Sequence, residues 1–328
     1  MRQGLSRAGR ADSGRVLLLR IMSLMYAISK PSVSQFVPLR GHNYHVLTWG
    51  TPRADTPPLV MVHGWMDVGA SFQFVVDALQ QDRYVIAPDW RGYGLTTGPV
   101  TDNYWFPDYL ADLDFLLDHY SPGQPVDLLG HSMGGNVVMI YAGSRAARIR
   151  RLINLEGFGM PATVPAQAPS RFAKWMDELK ALHAGDKALY PYNDAAGVAR
   201  RLMKTNPRLS QDNADWLAQH WAAPRVQADG STKWEILGDA AHKVINAQLY
   251  RLEEVLACYA CITAPLLSVV ASDDSLAGWY KGSYTIDQYH ERLKAVPNVQ
   301  LAVIKDAAHM LHHDQPHALA KLIEDFLQ

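Results

Sequence analysis

The chain has 328 residues, 48% of them hydrophobic and 10% aromatic, with a formal net charge of −1. That composition suits a protein with a substantial apolar core, and the near-neutral charge gives no electrostatic pull toward nucleic acid or an anionic membrane surface. The two cysteines, Cys258 and Cys261, form a lone CxxC with no second pair to complete a zinc site and no thioredoxin-like context. They read as two thiols near a helix end, and so few cysteines fit a cytoplasmic chain.

Residues 1–14 are basic and aperiodic, which predicts disorder. Val16 to Ile28 is apolar but broken by Arg20, and too short to span a bilayer. A basic stretch before an apolar run also resembles a secretory signal. However, no clean small-x-small cleavage site follows, and Lys30-Pro31 ends the run. Met22 and Met25 could each begin a chain that enters the fold directly, so residues 1–32 read as an N-terminal extension, disordered or loosely helical.

From about residue 33 the pattern becomes regular. "YHVLTWG" alternates as an early strand, and "PPLVMVHG" (57–64) is a buried strand ended by glycine. "YVIAPDWRGYG" (84–94) repeats that form. "YWFPDYLADLDFLLDHY" (104–120) carries Tyr109, Leu110, Leu113, Leu116 and Leu117 at helical spacing. "PVDLLG" is a strand, "MGGNVVMIYAGSR" a helix, and "IRRLINLEG" (149–157) a strand. The rhythm then breaks at Pro161, Pro165 and Pro169, and no buried strand follows until Ala264. Between them lie the helix-like pieces "RFAKWMDELKALH", "AAGVARRLMKT", "SQDNADWLAQHW" and "AAHKVINAQLYRLEEVLACY". "APLLSVVAS" (264–272), "TIDQYHERLKAV", "NVQLAVI" and "QPHALAKLIEDFLQ" restore the alternation. The expected fold is α/β, a doubly wound and mostly parallel sheet. Its core comprises 33–157 and 264–328, with a helical cap inserted at 158–263. Ligands of such sheets bind outside the carboxyl ends of the strands.

Gly130-His131-Ser132-Met133-Gly134 is a G-x-S-x-G bend with a strand before it and a helix after it. A serine at such a turn is held in strained backbone geometry that lifts its hydroxyl above the sheet, and glycines let the neighbouring backbone approach. The bland alternative is a serine capping a helix. A serine hydroxyl needs a base to act as a nucleophile. His309 comes first after the last strand and is preferred over His312, His313 and His317. The carboxylate that orients the base could be Asp273 or Asp274 at the end of "SVVASDD", or Glu156 at the end of "LINLEG". All three keep the order serine, acid, histidine. Oxyanion donors are expected from the backbone N–H groups of Met133 and Trp65, the latter placed by the His63-Gly64 turn. His63 itself reads as a loop-stabilising residue.

"VHGWMD", "APDWRGYGLT", "LLGHSMGG", "LSVVASDDS" and "DAAHMLHHDQP" follow one another in an order that resembles the α/β-hydrolase superfamily over about residues 35–328. "YWFPDYLADLDFLL" and "NLEGFG" are similar to its capped, serine-hydrolase-like branch. The resemblance implies Ser132 as nucleophile, His309 as base and, by the family's spacing from the strand-opening Pro265, Asp274 rather than Asp273 as the acid. Relatives that hydrolyse epoxides or haloalkanes carry aspartate at the elbow, where this chain has Ser132. The implied chemistry needs neither a metal nor an organic cofactor. Its partner would be a small-molecule substrate; no nucleic acid and no stable membrane insertion are expected, and self-association stays open. Trp175, Met176, Trp216, Trp221 and Trp234 of the cap are candidates for an apolar pocket, against the alternative that they are the cap's own core. The leading expectation is hydrolysis of a small carboxylic ester through an acyl-enzyme. Hydrolysis of a C–C bond in a diketone-type compound, and non-catalytic binding of a small ligand, are the alternatives.

Overall fold

In a computed structural model, residues 26–328 are described; the expectations for disorder or a signal in residues 1–25 lie outside the described residues. Strands β1 (Val33–Leu39) and β2 (His42–Trp49) form an antiparallel pair, and β2 pairs antiparallel with β4 (Val85–Pro88). The remaining strands run parallel: β3 (Leu59–Val62), β5 (Val126–His131), β6 (Ile149–Leu155), β9 (Leu266–Ala271) and β10 (Val299–Ile304). The eight-stranded order is β1-β2-β4-β3-β5-β6-β9-β10. Every residue of β3 and β5 is buried, as expected of central strands covered on both faces. Both edge strands, β1 and β10, carry exposed positions.

That order contains a switch point. The chain leaves β3 toward β4 on one side and returns to β5 on the other. The crevice outside the carboxyl ends of β3 and β5 is where such a sheet binds ligands. The Gly64-Trp65 loop and Ser132 both begin there. Register then aligns the next strand ends: His131 pairs with Leu155, and Leu155 with Val269. Ser132 and Glu156, each one residue past its strand, therefore stand side by side on one edge of the sheet.

Helix α1 (Gln73–Ala78) and α2 (Phe106–Tyr120) precede β5, and α3 (Met133–Ser144) follows it. Two buried carboxylates fix the loops around the crevice. Asp89, one residue past β4, accepts from the Gly69 and Leu95 amides at 2.7 and 2.9 Å and pairs with His45 at 2.7 Å. Asp112 on α2 receives Arg91 and Arg40, each at 2.7 Å, and the Tyr44 hydroxyl.

The segment after β6 carries α4 (Ala168–His183), α5 (Ala195–Thr205), α6 (Gln211–Trp221), strands β7 (Ala222–Val226) and β8 (Thr232–Ile236), and α7 (Leu252–Ala260). It is not wholly helical. The β7–β8 hairpin turns through Asp229-Gly230, with Gly230 at φ 79° and the Asp229 carboxylate accepting from the Ser231 amide at 2.9 Å. Aspartate-glycine is a strong hairpin signal. The stretch expected as one helix from Ala240 is also broken. Asn246 accepts from the Gln248 amide at 2.9 Å, a local turn that competes with helix, and regular helix begins only at Leu252.

The inserted segment seats on the core through one apolar cluster. Val198, Leu209, Trp216 and Leu217 are buried together with Val68, Phe72 and Phe74 of the core. A second attachment is polar and aromatic. The Gly94 amide donates to Leu237 O and the Asp239 amide to Gly92 O, at 2.8 and 2.9 Å. His242 stacks between Tyr93 and Tyr104, with ring centroids 3.8 and 3.7 Å away. Helix α7 then lies against α3, where a Cβ added to Gly143 would meet Cys258 O at 2.1 Å. Cys258 and Cys261 are both free thiols. Beyond β9, α8 (Ser275–Tyr280) and α9 (Ile286–Leu293) precede β10, and α10 (Leu311–Asp314) and α11 (Pro316–Leu327) follow it. No helix among the described residues is long and apolar enough to cross a membrane.

Candidate active site

Ser132 sits between β5 and α3 at φ 53° and ψ −115°, a conformation rarely held by a residue with a side chain. Its amide donates to Leu155 O at 2.8 Å, and its carbonyl accepts the Asn136 amide at 3.0 Å, so the strained residue is pinned from both sides. The flanking glycines are required by contact. A Cβ on Gly130 would lie 2.3 Å from Gly134 O, and one on Gly134 would lie 2.4 Å from Val62 O. Ser132 makes no side-chain cap to α3, so the hydroxyl is not spent as a helix cap.

That hydroxyl lies 2.9 Å from Nε2 of His309. The other ring nitrogen, Nδ1, lies 3.2 Å from Oε2 of Glu156. The same carboxylate accepts from the Ser275 hydroxyl and the Ala271 amide, both at 2.7 Å. Glu156 is buried, with φ 56°, a second strained residue on the same sheet edge. Burial pushes its carboxyl up to about 7, against the pull of the bonds from Ala271 and Ser275. Burial likewise lowers His309 to about 4, partly offset by the charge of Asp67.

This geometry corrects the expected acid. Asp274 is exposed, and its carboxylate accepts the Ala277 amide at 2.9 Å as the N-cap of α8. Asp273 is exposed and ion-paired with Arg208 at 2.8 Å. The carboxylate against His309 is Glu156, the candidate at the end of β6. Register explains it: β6 neighbours β5 directly, so its first loop residue reaches the serine's side of the crevice.

The loop after β3 crosses the elbow. A Cβ on Gly64 would lie 3.0 Å from Ser132 Cβ. His63 holds this loop as expected: its Nδ1–H donates to Gly64 O at 2.8 Å and its Nε2 accepts the Trp90 amide at 2.9 Å. Burial lowers its pKa, consistent with a neutral ring. Trp65 follows, half exposed, with its indole donating to His242 O at 3.2 Å. Met133 is the first residue of α3, where the backbone N–H has no partner within the helix.

The cap tryptophans go elsewhere. Trp216 is buried against Phe74 and Tyr26, and Trp221 and Trp234 pack on the same cluster. Trp175 is half-buried, its indole 3.4 Å from Asn103 Oδ1, and Met176 beside it is exposed. The aromatic side chain against the histidine is Trp279 of α8, edge-on to His309 at 4.4 Å and 82°, and half exposed. Phe158 lies 6.3 Å from it. Sequence reading missed Trp279 because α8 is a short helix without a recognisable period; its cap, Asp274, was the only signal.

Comparison with known proteins agrees with this fold. The family model for the α/β hydrolase fold matches residues 57–316. The serine hydrolase-like protein of Danio rerio is 26% identical over 278 residues, covering 83% of this chain and 81% of that protein. The sn-1-specific diacylglycerol lipase of Xenopus laevis is 26% identical over 274 residues, covering 83% and 80%. A thioesterase domain from the curacin biosynthetic pathway superposes with a TM-score of 0.76 at 22% identity, over 90% of this chain and 99% of that domain, a likeness of fold. The chain belongs to the α/β-hydrolase family. Within that family it falls on the serine-hydrolase-like branch and is a hydrolase.

Proposed function

We propose that the chain hydrolyses carboxylic esters with an apolar acyl group, through an acyl-enzyme on Ser132. The observation that carries this is His309, bonded at once to the Ser132 hydroxyl and to the Glu156 carboxylate. Glu156 holds the proton on Nδ1, which leaves the Nε2 lone pair facing the hydroxyl. As Ser132 Oγ attacks the ester carbonyl carbon, Nε2 takes its proton. The amides of Met133 and Trp65 stabilise the oxyanion at the positions a strand-to-helix elbow provides. The C–O bond then breaks, and the proton on Nε2 passes to the leaving alcohol. Water, deprotonated by the same nitrogen, releases the acid and restores the serine.

The preference for an apolar acyl group rests on the half-exposed Trp279, whose ring lies 4.4 Å from that of His309, and on buried Phe158 beside it. No full charge is held by these side chains, which favours a neutral acyl chain. The similarity to a diacylglycerol lipase points in the same direction. A series of p-nitrophenyl esters from acetate to decanoate, set beside a vinylogous diketone, tests the proposal. Ester turnover that rises with acyl length and falls in Trp279→Ala is expected. Turnover of the diketone with none of any ester would overturn it.

A further inference from the structure

Behind His309 lies a second cluster that the proposed hydrolysis does not use. Asp67 follows the β3 loop, Ser71 lies in the single helical turn Gly69–Phe72, and His312 and His313 lie in α10. One ligand atom from each of Asp67, His312 and His313 falls within 4.8 Å of the others, and all three residues are buried. Nε2 of His312 and Nε2 of His313 both approach Ser71 Oγ, at 3.3 and 2.5 Å. Oδ2 of Asp67 stands 3.8 Å from His312 Nε2, too far for a hydrogen bond, and has no hydrogen-bond partner among the described residues. Its side chain is 7% exposed and that of His312 is 0% exposed.

A buried carboxylate oxygen without a donor is costly, and no donor lies within hydrogen-bond distance of Asp67 Oδ2 among the described residues. The Nδ1 of His312 is likewise buried without a hydrogen-bond partner among the described residues. The Ser71 hydroxyl can donate to one imidazole and accept from the other, but neither bond reaches Asp67 Oδ2. We infer that Asp67, His312 and His313 form a buried site for a divalent transition cation of the Zn2+ or Co2+ class, with Ser71 Oγ or a water as a further ligand. Two imidazole nitrogens and a carboxylate are the donor set such borderline cations prefer. Tetrahedral coordination at about 2.0–2.1 Å places ligand atoms about 3.4 Å apart. The ligand atoms lie within 4.8 Å of one another, with Asp67 Oδ2 and His312 Nε2 at 3.8 Å, and no hydrogen bond holds the Asp67 oxygen in place. The ion would balance the Asp67 charge and join the β3 loop to α10. It would also brace the segment that holds His309, because the His312 ring packs 4.3 Å from His131, whose Nε2–H donates to His309 O at 2.8 Å.

The test is Co2+ titration of chelator-treated full-length protein, followed by visible absorption and by X-ray absorption at the cobalt edge. The expected result is one ion per chain, a nitrogen and oxygen shell with imidazole scattering, and no sulfur. Asp67→Asn and His313→Gln should each weaken binding at least tenfold, while Cys261→Ser leaves it unchanged. Thiolate bands or sulfur scattering would assign the ion to Cys258 and Cys261 and overturn the inference. So would no binding by wild type at about 100 μM Co2+, far above the affinity of a built site. Equal binding by folded Asp67→Asn and His313→Gln would do the same. If those variants do not fold, the wild-type cobalt spectrum decides alone.

Discussion

Glu156→Gln separates the two candidate acids by geometry. In the wild type, Oε1 receives the Ala271 amide at 2.7 Å, and Oε2 receives both Ser275 and His309. A glutamine must keep its oxygen on the Ala271 N–H, since its NH2 cannot accept there. The NH2 then faces His309 Nδ1 and donates to it. The ring is forced into the tautomer with hydrogen on Nε2, which can no longer take the proton of Ser132. The analogous change in a serine protease costs roughly 10⁴ in turnover, about 5.5 kcal/mol at 1.36 kcal/mol per decade. Loss of stability should be much smaller, about 1 kcal/mol, because the Ala271 bond survives. Asp274→Asn is the matched control. Asparagine caps helices about as well as aspartate, so α8 should keep its cap and activity should stay within a few-fold of wild type. The assay is kcat/KM on p-nitrophenyl butyrate, with thermal melts of each variant. A Glu156→Gln enzyme within tenfold of wild type, beside a crippled Asp274→Asn, would refute the reasoning.

The pH profile and the elbow glycine give two further expectations. Ester turnover should fall on acidification with an apparent pKa between about 4 and about 7, the positions to which burial moves His309 and Glu156. The sign follows from roles: protonating His309 removes the base, and protonating Glu156 removes the acceptor that fixes its tautomer. A rate still flat at about pH 4 would remove His309 as base. Gly134→Ala would drive a Cβ to 2.4 Å from Val62 O and 2.6 Å from His63 O, both backbone atoms that cannot rotate away. A loss of about 1–3 kcal/mol in stability and a sharp drop in turnover are expected. Gly278→Ala in α8 meets nothing within 4 Å, and should leave thermal stability unchanged or raised by about 0.5–1 kcal/mol.

Much of the fold was legible because its signals are local. The buried strands β3, β5 and β9 are short apolar runs bounded by glycine or aspartate, and the G-x-S-x-G bend states its own strand-to-helix context. Ser132 and His309 could be read for the same reason: each lies just beyond a recognisable strand. The carboxylate that lies against His309 was not legible in that way. Glu156, Asp273 and Asp274 all follow strands, and only the adjacency of β6 to β5, a long-range pairing, brings Glu156 to the histidine. Spacing within "SVVASDD" carried no information about which strand sits beside which. The inserted segment was legible as an interruption but not in detail: β7 and β8 are only five residues each, β7 is mostly exposed and β8 only partly buried, so neither reads as a buried apolar run. Its tryptophans could not be placed from composition, since Trp216 is drawn into the contact with Phe74 rather than toward Ser132.

The central claim is that Ser132 is a nucleophile activated in the folded protein. Intact-mass analysis after treatment with a fluorophosphonate measures this directly. The expected result is a single adduct per chain, mapped to the peptide containing Ser132 and lost in Ser132→Ala. A folded wild-type protein that takes no label, or a Ser132→Ala protein labelled as fast as wild type, would contradict it.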